Sequence, residues 1–358
     1  MNDLAIGLIG CGSIAAKHVS SIAKCNNAKL AALCDVNIER MKGMSALWRS
    51  VSGDKQQNEP VLFTDYRQLL AEPSIAVVVI AAISGLHAQI AIEALTANKH
   101  VILEKPIALS LRDADEIIRL ANERKLIVQV CHQLRYRPLM RKIHELVKEG
   151  ALGKILAASV KLRIYRPLSY YQTSAWRGTW EHDGGMLLNQ GIHAIDLLQW
   201  YLGMPTQVYG ELGYRFSSKE TEDVAFGILS FPGGAKAMIE ANSVTMPENL
   251  EQSLFVLGEK GVISIGGPKM DQIHRWYMED QPFSIEEAMR LLPDQNEHVE
   301  MYRTLIQACL EKKEAGLVDL MEGRRSLELI FAIYLSAQIA QVAHLPIPEF
   351  TTLQMKPE

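Results

Sequence analysis

The sequence predicts an α/β chain of two domains: a doubly wound parallel sheet first, then an α+β domain carrying a large open antiparallel sheet. Three observations predict it. Over residues 1–134 short apolar runs alternate with helix-like stretches, the pattern of parallel strands joined by crossover helices. After about residue 150 the strands lengthen, alternate apolar with polar, and are separated by hairpin turns. The length, 358 residues, is large for one hydrophobic core and small for three.

The parallel strands fall at 4–9, 29–34, 62–64, 75–82, 101–103 and 126–131, with helices over 13–25, 37–49, 66–71, 87–98 and 110–124. Ser110 followed by Asp113 marks the start of the last of these helices, and the polar stretch 50–59 is a surface loop. In the second part the strands are 155–166, 206–216, 223–231, 235–244, 251–257 and 261–266. Pro232-Gly233-Gly234 and Gly258-Glu259-Lys260-Gly261 turn two pairs of them into hairpins. Helices over 184–202, 296–313 and 321–342 cover one sheet face. The domains are therefore expected at 1–134 and 135–358, with room for a C-terminal helix to pack back on the first domain and with an interdomain cleft.

Composition removes several function classes. The chain is 48% apolar and 22% charged, with no low-complexity tract, as an ordered globular protein requires. Its net charge is −4 and no Lys/Arg cluster tracks a phosphate backbone, so nucleic acid is not an expected partner. Cys11, Cys25, Cys34, Cys131 and Cys309 are odd in number, widely spaced and free of any C-x-x-C pair, which fits a reduced compartment and no zinc or other metal. The apolar run 75–83 is far short of the roughly 18–20 residues of a membrane span, and the chain opens on a strand without an export signal. A cytoplasmic location and no membrane partner are expected.

Gly10-Cys11-Gly12-Ser13-Ile14-Ala15 follows an apolar strand and opens a helix, matching G-x-G-x-x-G/A with Ala last. Glycines permit the tight turn and let backbone amides approach a pyrophosphate at the positive helix end. Asp35 closes the second strand, placed to accept hydrogen bonds from ribose hydroxyls and to repel a 2′-phosphate. The first domain thus reads as a Rossmann dinucleotide-binding domain holding NAD through Gly10, Gly12, Ser13, Ile14 and Asp35. A helix-capping role for Asp35 is compatible with this.

Three further segments, Ser84-Gly85-Leu86-His87, Glu104-Lys105-Pro106 and Gly184-Gly185 through Asn189-Gln190-Gly191-Ile192-His193-Ala194-Ile195-Asp196, resemble the Gfo/Idh/MocA oxidoreductases. The resemblance implies that Lys105 lies beside the nicotinamide and contacts the reacting hydroxyl, and that His193 is the general base. It also implies cofactor contacts from Ser84, His87, Glu104, Lys105, Trp176 and Arg177. Members of the family usually carry a carboxylate four residues before the histidine. Here Asn189 stands in that place, able to orient His193 or bond a substrate but not to stabilise an imidazolium, which speaks against an inositol dehydrogenase. His18 and His132 read as cofactor-side or structural residues, and Asp196 as a pairing group.

The segment from Tyr165-Arg166 to Trp176-Arg177-Gly178 and the cluster Arg135-Tyr136-Arg137 carry aromatic and guanidinium groups suited to a polar, anionic sugar. Substrate contacts are accordingly expected from Lys105, Arg135, Tyr136, Tyr165, Arg166, Asn189 and His193. Trp-Arg-Gly ahead of Asn-x-Gly-x-His is similar to the dehydrogenases that oxidise the 3-hydroxyl of UDP-N-acetylglucosaminuronate-type nucleotide sugars for surface polysaccharide. The resemblance leaves three other readings open: another sugar or inositol dehydrogenase or keto-sugar reductase, an NAD-dependent glycosidase, and a non-catalytic nucleotide-sensing regulator. It also implies a homodimer or homotetramer.

Overall fold

A short run of β-branched apolar residues with nothing polar in it suits a strand covered on both faces, and Val77–Ile80, buried at all four positions, is such a run. In the computed structural model, which describes residues 3–53, 59–280, 282–294, 296–311 and 316–356, it is one of six parallel strands. These are β1 (Leu4–Ile9), β2 (Ala28–Cys34), β3 (Val61–Phe63), β4 (Val77–Ile80), β5 (His100–Leu103) and β6 (Val128–Val130), in the order β3-β2-β1-β4-β5-β6. Helices α1 (Ala15–Ala23), α2 (Ile38–Val51), α3 (Tyr66–Ala71), α4 (His87–Thr96) and α5 (Leu111–Arg124) connect them. This is the expected doubly wound order, with its reversal between β1 and β4. The expected loop at 50–59 lies partly outside the described residues.

The chain then forms α6 (Pro138–Lys148), β7 (Ile155–Arg163), α7 (Leu168–Gln172), a π-helical turn at Leu187–Gly191, and α8 (Ile192–Leu202). Strands β8 (Gln207–Gly213), β9 (Val224–Ser230), β10 (Lys236–Asn242), β11 (Glu251–Gly258), β12 (Gly261–Gly266) and β13 (Gln272–Met278) follow. The rest comprises α9 (Ile285–Leu291), α10 (Glu297–Glu311), α11 (Leu320–Ile339) and β14 (Ala343–His344). The second sheet has eight strands in the order β13-β12-β11-β7-β10-β9-β8-β14. Both glycine turns join antiparallel neighbours, β9 to β10 and β11 to β12.

One pair departs from the expected antiparallel pattern, because β10 runs parallel to β7. The cause is α8, a crossover that restores chain direction before two hairpins bring the chain back beside β7. The sheet is therefore mixed.

Contacts divide the chain into two compact units, the first comprising Met1–Ala108, Arg112–Gln133 and Asn296–Gly323, the second Leu109–Leu111, Leu134–Gln295 and Arg324–Glu358. A cut at residue 134 differs from this division in one substantial segment: α10 groups with the parallel sheet, where it packs on α1.

Candidate active site

In the first unit, β1 is followed by Gly10, whose φ of +96° is open to glycine at little cost. A Cβ there would lie 2.4 Å from the carbonyl oxygen of Ala81. At Gly12 the opposite holds: an added Cβ would meet nothing within 4 Å among the described residues, so the turn has an open side above the start of α1. No side chain caps α1 at Ile14; the Ala15 and Lys17 amides donate to the Gly12 and Ile14 carbonyls at 3.1 and 2.9 Å. Ser13 is exposed and Ile14 half-buried at the rim of the open side.

Asp35 closes the other wall: one carboxylate oxygen accepts from the Cys11 amide at 2.8 Å and the other from the Asn37 amide at 2.8 Å. The cap of α2 is Asn37, whose side chain accepts from Glu39 and Arg40, so Asp35 is not needed for that role. An open glycine cradle, an uncapped helix start and a terminal carboxylate on β2 fit NAD, the pyrophosphate over Gly12 and the adenosine ribose toward Asp35.

Beyond β5, Glu104 is buried, its Oε1 3.1 Å from His18 Nε2, while its Oε2 accepts from the Lys105 amide at 3.2 Å. His18 in turn meets the Tyr302 hydroxyl at 2.8 Å through Nδ1. Burial raises the Glu104 pKa, but the His18 hydrogen bond and the charges of His18, Lys105 and His298 outweigh it and hold the group well below the usual carboxylate range. His18, Glu104 and Cys131 approach one another closely, and this buried cluster positions the turn that carries Lys105. Lys105 is half-buried and joined to Pro106 by a cis peptide bond.

His87 supports the same turn. Its Nδ1 lies 2.7 Å from the Pro106 carbonyl and its Nε2 3.0 Å from that of Ala82. Two carbonyl partners favour a charged ring, but burial is the larger effect and lowers the pKa. Ser84 is buried in the short 3-10 turn Ser84–Leu86 that leads into α4.

In the second unit a chain of hydrogen bonds runs across the start of α8. Arg166 donates to Gln190 Oε1 at 2.7 Å, the Gln190 amide donates to Asn189, and the Asn189 amide donates to Asp183. Asp183 is buried and accepts also from the Gly178 amide at 2.8 Å. The carboxylate missing from position 189 is thus supplied to Asn189 from six residues earlier. Asp183 and Gln190 were not expected as site residues, and the only signal in the sequence is that Asp183 opens the Gly184-Gly185 turn. The expected helix over 184–202 begins as a π turn at Leu187–Gly191, a local widening often found at functional positions. His193 follows it, half-buried, in the first turn of α8.

Arg177 lies over two rings, 4.2 Å from the Tyr170 centroid and 4.6 Å from that of Trp176. Tyr165 pairs with Val244 in an isolated bridge, and its amide donates to Asn249 at 2.9 Å. Two expected substrate residues are corrected. Arg135 is buried with both its Nε and an Nη on Asp196, at 2.8 and 2.7 Å, and it bonds Gln199 as well. Its charge is used inside the unit. Tyr136 is 2% exposed, with Arg141 over its ring, and presents no surface to a ligand.

Two family descriptions match the sequence. Residues 4–132 match the oxidoreductase family with NAD-binding Rossmann fold, and residues 140–264 match the GFO/IDH/MocA C-terminal domain. The chain belongs to the Gfo/Idh/MocA family. It is an NAD-dependent oxidoreductase. Among solved structures of the family, it is similar to the WlbA dehydrogenase from Bordetella pertussis in complex with NADH and UDP-GlcNAcA. That likeness has 31% identity and a TM-score of 0.86, covering 97% of this chain and 100% of that one. The WlbA dehydrogenase from Chromobacterium violaceum, in complex with the same two ligands, is 29% identical with a TM-score of 0.87, each chain covered to 97%. The myo-inositol 2-dehydrogenase of Thermotoga maritima is 26% identical over 265 residues, 72% of this chain and 74% of that one. Among the described residues no helix is long and apolar enough to cross a membrane.

Proposed function

We propose that this family member oxidises the 3-hydroxyl of a UDP-N-acetylglucosaminuronate-type nucleotide sugar. The observation that carries the reading is the bonded series Arg166, Gln190, Asn189, Asp183 at the head of the helix bearing His193. It fixes a polar, carboxylate-backed surface one turn before the base and brings a guanidinium to the same place. The likeness to two WlbA dehydrogenases bound to UDP-GlcNAcA supports the choice of sugar.

In this reading the Lys105 ammonium holds the alcohol oxygen and stabilises the negative charge that grows on it. His193 removes the hydroxyl proton, and Asn189, itself held by Asp183, orients the ring or the substrate. Bound NAD supplies the hydride acceptor. Loss of the proton and of the hydride leaves a 3-keto nucleotide sugar. Glu104, His18 and His87 keep the Lys105 turn in place without touching substrate. Exposed Tyr209, Ile228 and Met238 form an apolar row across β8, β9 and β10, and we propose that it serves a homodimer or homotetramer.

The test is NADH formation with NAD and a panel of UDP-N-acetylglucosaminuronate, free uronates, hexoses and inositols. Turnover confined to the nucleotide sugar is expected, with Lys105→Ala reducing kcat/KM on the order of 10²–10³-fold. Turnover on free sugars or inositols alone overturns the substrate, and an undiminished Lys105→Ala overturns the role of the lysine.

A further inference from the structure

A cavity of about 1030 Å³ opens in the second unit between the segment after β7 and the loop joining β8 to β9. Tyr171, Tyr214, Phe216, Arg215, Ser217 and Ser218 are among the residues that line it. No monosaccharide fills such a volume, which matches the upper end of pockets that take drug-sized molecules, about 300–1,000 Å³.

The loop is built rather than merely exposed. Asp223, fully buried, accepts from the amides of Arg215 and Phe216 at 2.7 and 3.2 Å through one oxygen. Its other oxygen lies 3.1 Å from Lys219 Nζ, and both side chains of this ion pair are within 2% of complete burial. Lys219 also donates to the carbonyls of Thr221 and Glu222, so its charge faces inward and is spent on holding the loop. Arg215 is treated oppositely. Its side chain is exposed, lies 5.3 Å over the Phe216 ring and forms no ion pair with any described residue. Tyr214 beside it is 57% exposed. A buried carboxylate thus fixes the backbone from which an uncommitted guanidinium and two aromatic rings project. Such an arrangement of flat faces, a bidentate cation and adjacent hydroxyls recognises a planar ring joined to phosphate.

We propose that this cavity is the subsite for the nucleoside diphosphate portion of the substrate, with the base against Phe216 and Tyr214 and the diphosphate on Arg215. The assignment rests on the nucleotide-sugar reading above and adds to it where the nucleotide is held. Glu220 also lines the cavity, its Oε2 accepting from the Trp180 amide at 2.9 Å.

The experiment is calorimetric titration of UDP into protein saturated with NADH, so that the dinucleotide site is already filled. UDP binding is expected, weakened about tenfold by Arg215→Ala and severalfold by Phe216→Leu, each a loss in the range of a single charged or stacking contact. Lys236→Ala, a cation elsewhere on the same sheet, is expected to leave it unchanged. No UDP binding to the native protein, or equal binding in all variants, overturns the proposal. So does an Arg215→Ala protein that binds UDP normally but changes oligomeric state, since the cavity would then be a subunit contact. Weakened UDP binding without oxidation of the nucleotide sugar retains the subsite and overturns the reaction. Oxidation of that sugar with UDP affinity indifferent to Arg215 does the reverse.

Discussion

Glu104 in the first unit and Glu222 in the second are both buried carboxylates beside candidate site residues, yet they sit at opposite ends of the protonation scale. Burial raises both. At Glu104 the His18 hydrogen bond and neighbouring positive charges reverse the effect and keep the group ionised. At Glu222 burial prevails and pushes the pKa up to about 7. Its nearest partners, the Leu187 amide at 2.8 Å and the Tyr334 hydroxyl at 2.7 Å, are neutral, and Lys219 is directed elsewhere. Neutral donors lower the cost of a buried charge but do not cancel it; a cation in contact does.

The comparison breaks most sharply if His18 is dispensable. His18→Ala strands an ionised carboxylate and is expected to cost about 3–5 kcal/mol, as removing one member of a buried pair does. A shift in denaturation free energy below about 1 kcal/mol would mean that Glu104 is not held by His18.

The pH dependence separates the two groups next. A carboxyl raised in the folded state stabilises the protein while protonated, so the contribution of Glu222 is complete at low pH and lost as pH rises from about 4.5 through about 7. The loss is about 3 kcal/mol at most. Glu104, depressed in the folded state, contributes fully above the ordinary carboxyl pKa and loses its contribution only as pH falls below it. Between pH 5 and 8 Glu222 contributes a decline, opposed by His87 and His100, whose lowered pKa values make stability rise with pH, so the thermal stability of Glu222→Gln is expected to gain on that of the native protein as pH rises across that range. An unchanged slope would remove Glu222 from the account.

The smallest effect expected is that of Tyr334→Phe, which deletes one hydroxyl donor to Glu222. It should cost about 1–2 kcal/mol at pH 8, where the acceptor is charged, and less at pH 5. Equal losses at both pH values would show that the carboxyl does not change charge between them.

What was legible in the sequence was what adjacent residues decide. Gly10 through Ala15, Asp35 and the Glu104-Lys105-Pro106 turn are local signatures, and the structure builds the glycine turn and its carboxylate wall from those same residues. The parallel sheet and both glycine hairpins were likewise readable from runs and turns. The rest depends on partners far along the chain. Arg135 beside Tyr136 has the local look of an anion ligand, and its partner Asp196 lies 61 residues away. Asp183 meets Asn189 across a glycine turn and a π turn, neither of which the sequence pattern announces. The parallel β7–β10 pair follows from a crossover, and β13 carried no hairpin signal in its own residues.

The grouping of α10 with the parallel sheet has a consequence for biosynthesis. Tyr302, which meets His18, lies on that helix, so the dinucleotide-binding unit is incomplete when Gln133 has left the ribosome. It waits until Gly323 emerges, 323 − 133 = 190 residues later. At about 5–20 residues per second that is roughly 10–40 s. During this interval the His18 face of α1 lacks its α10 partner on the nascent chain.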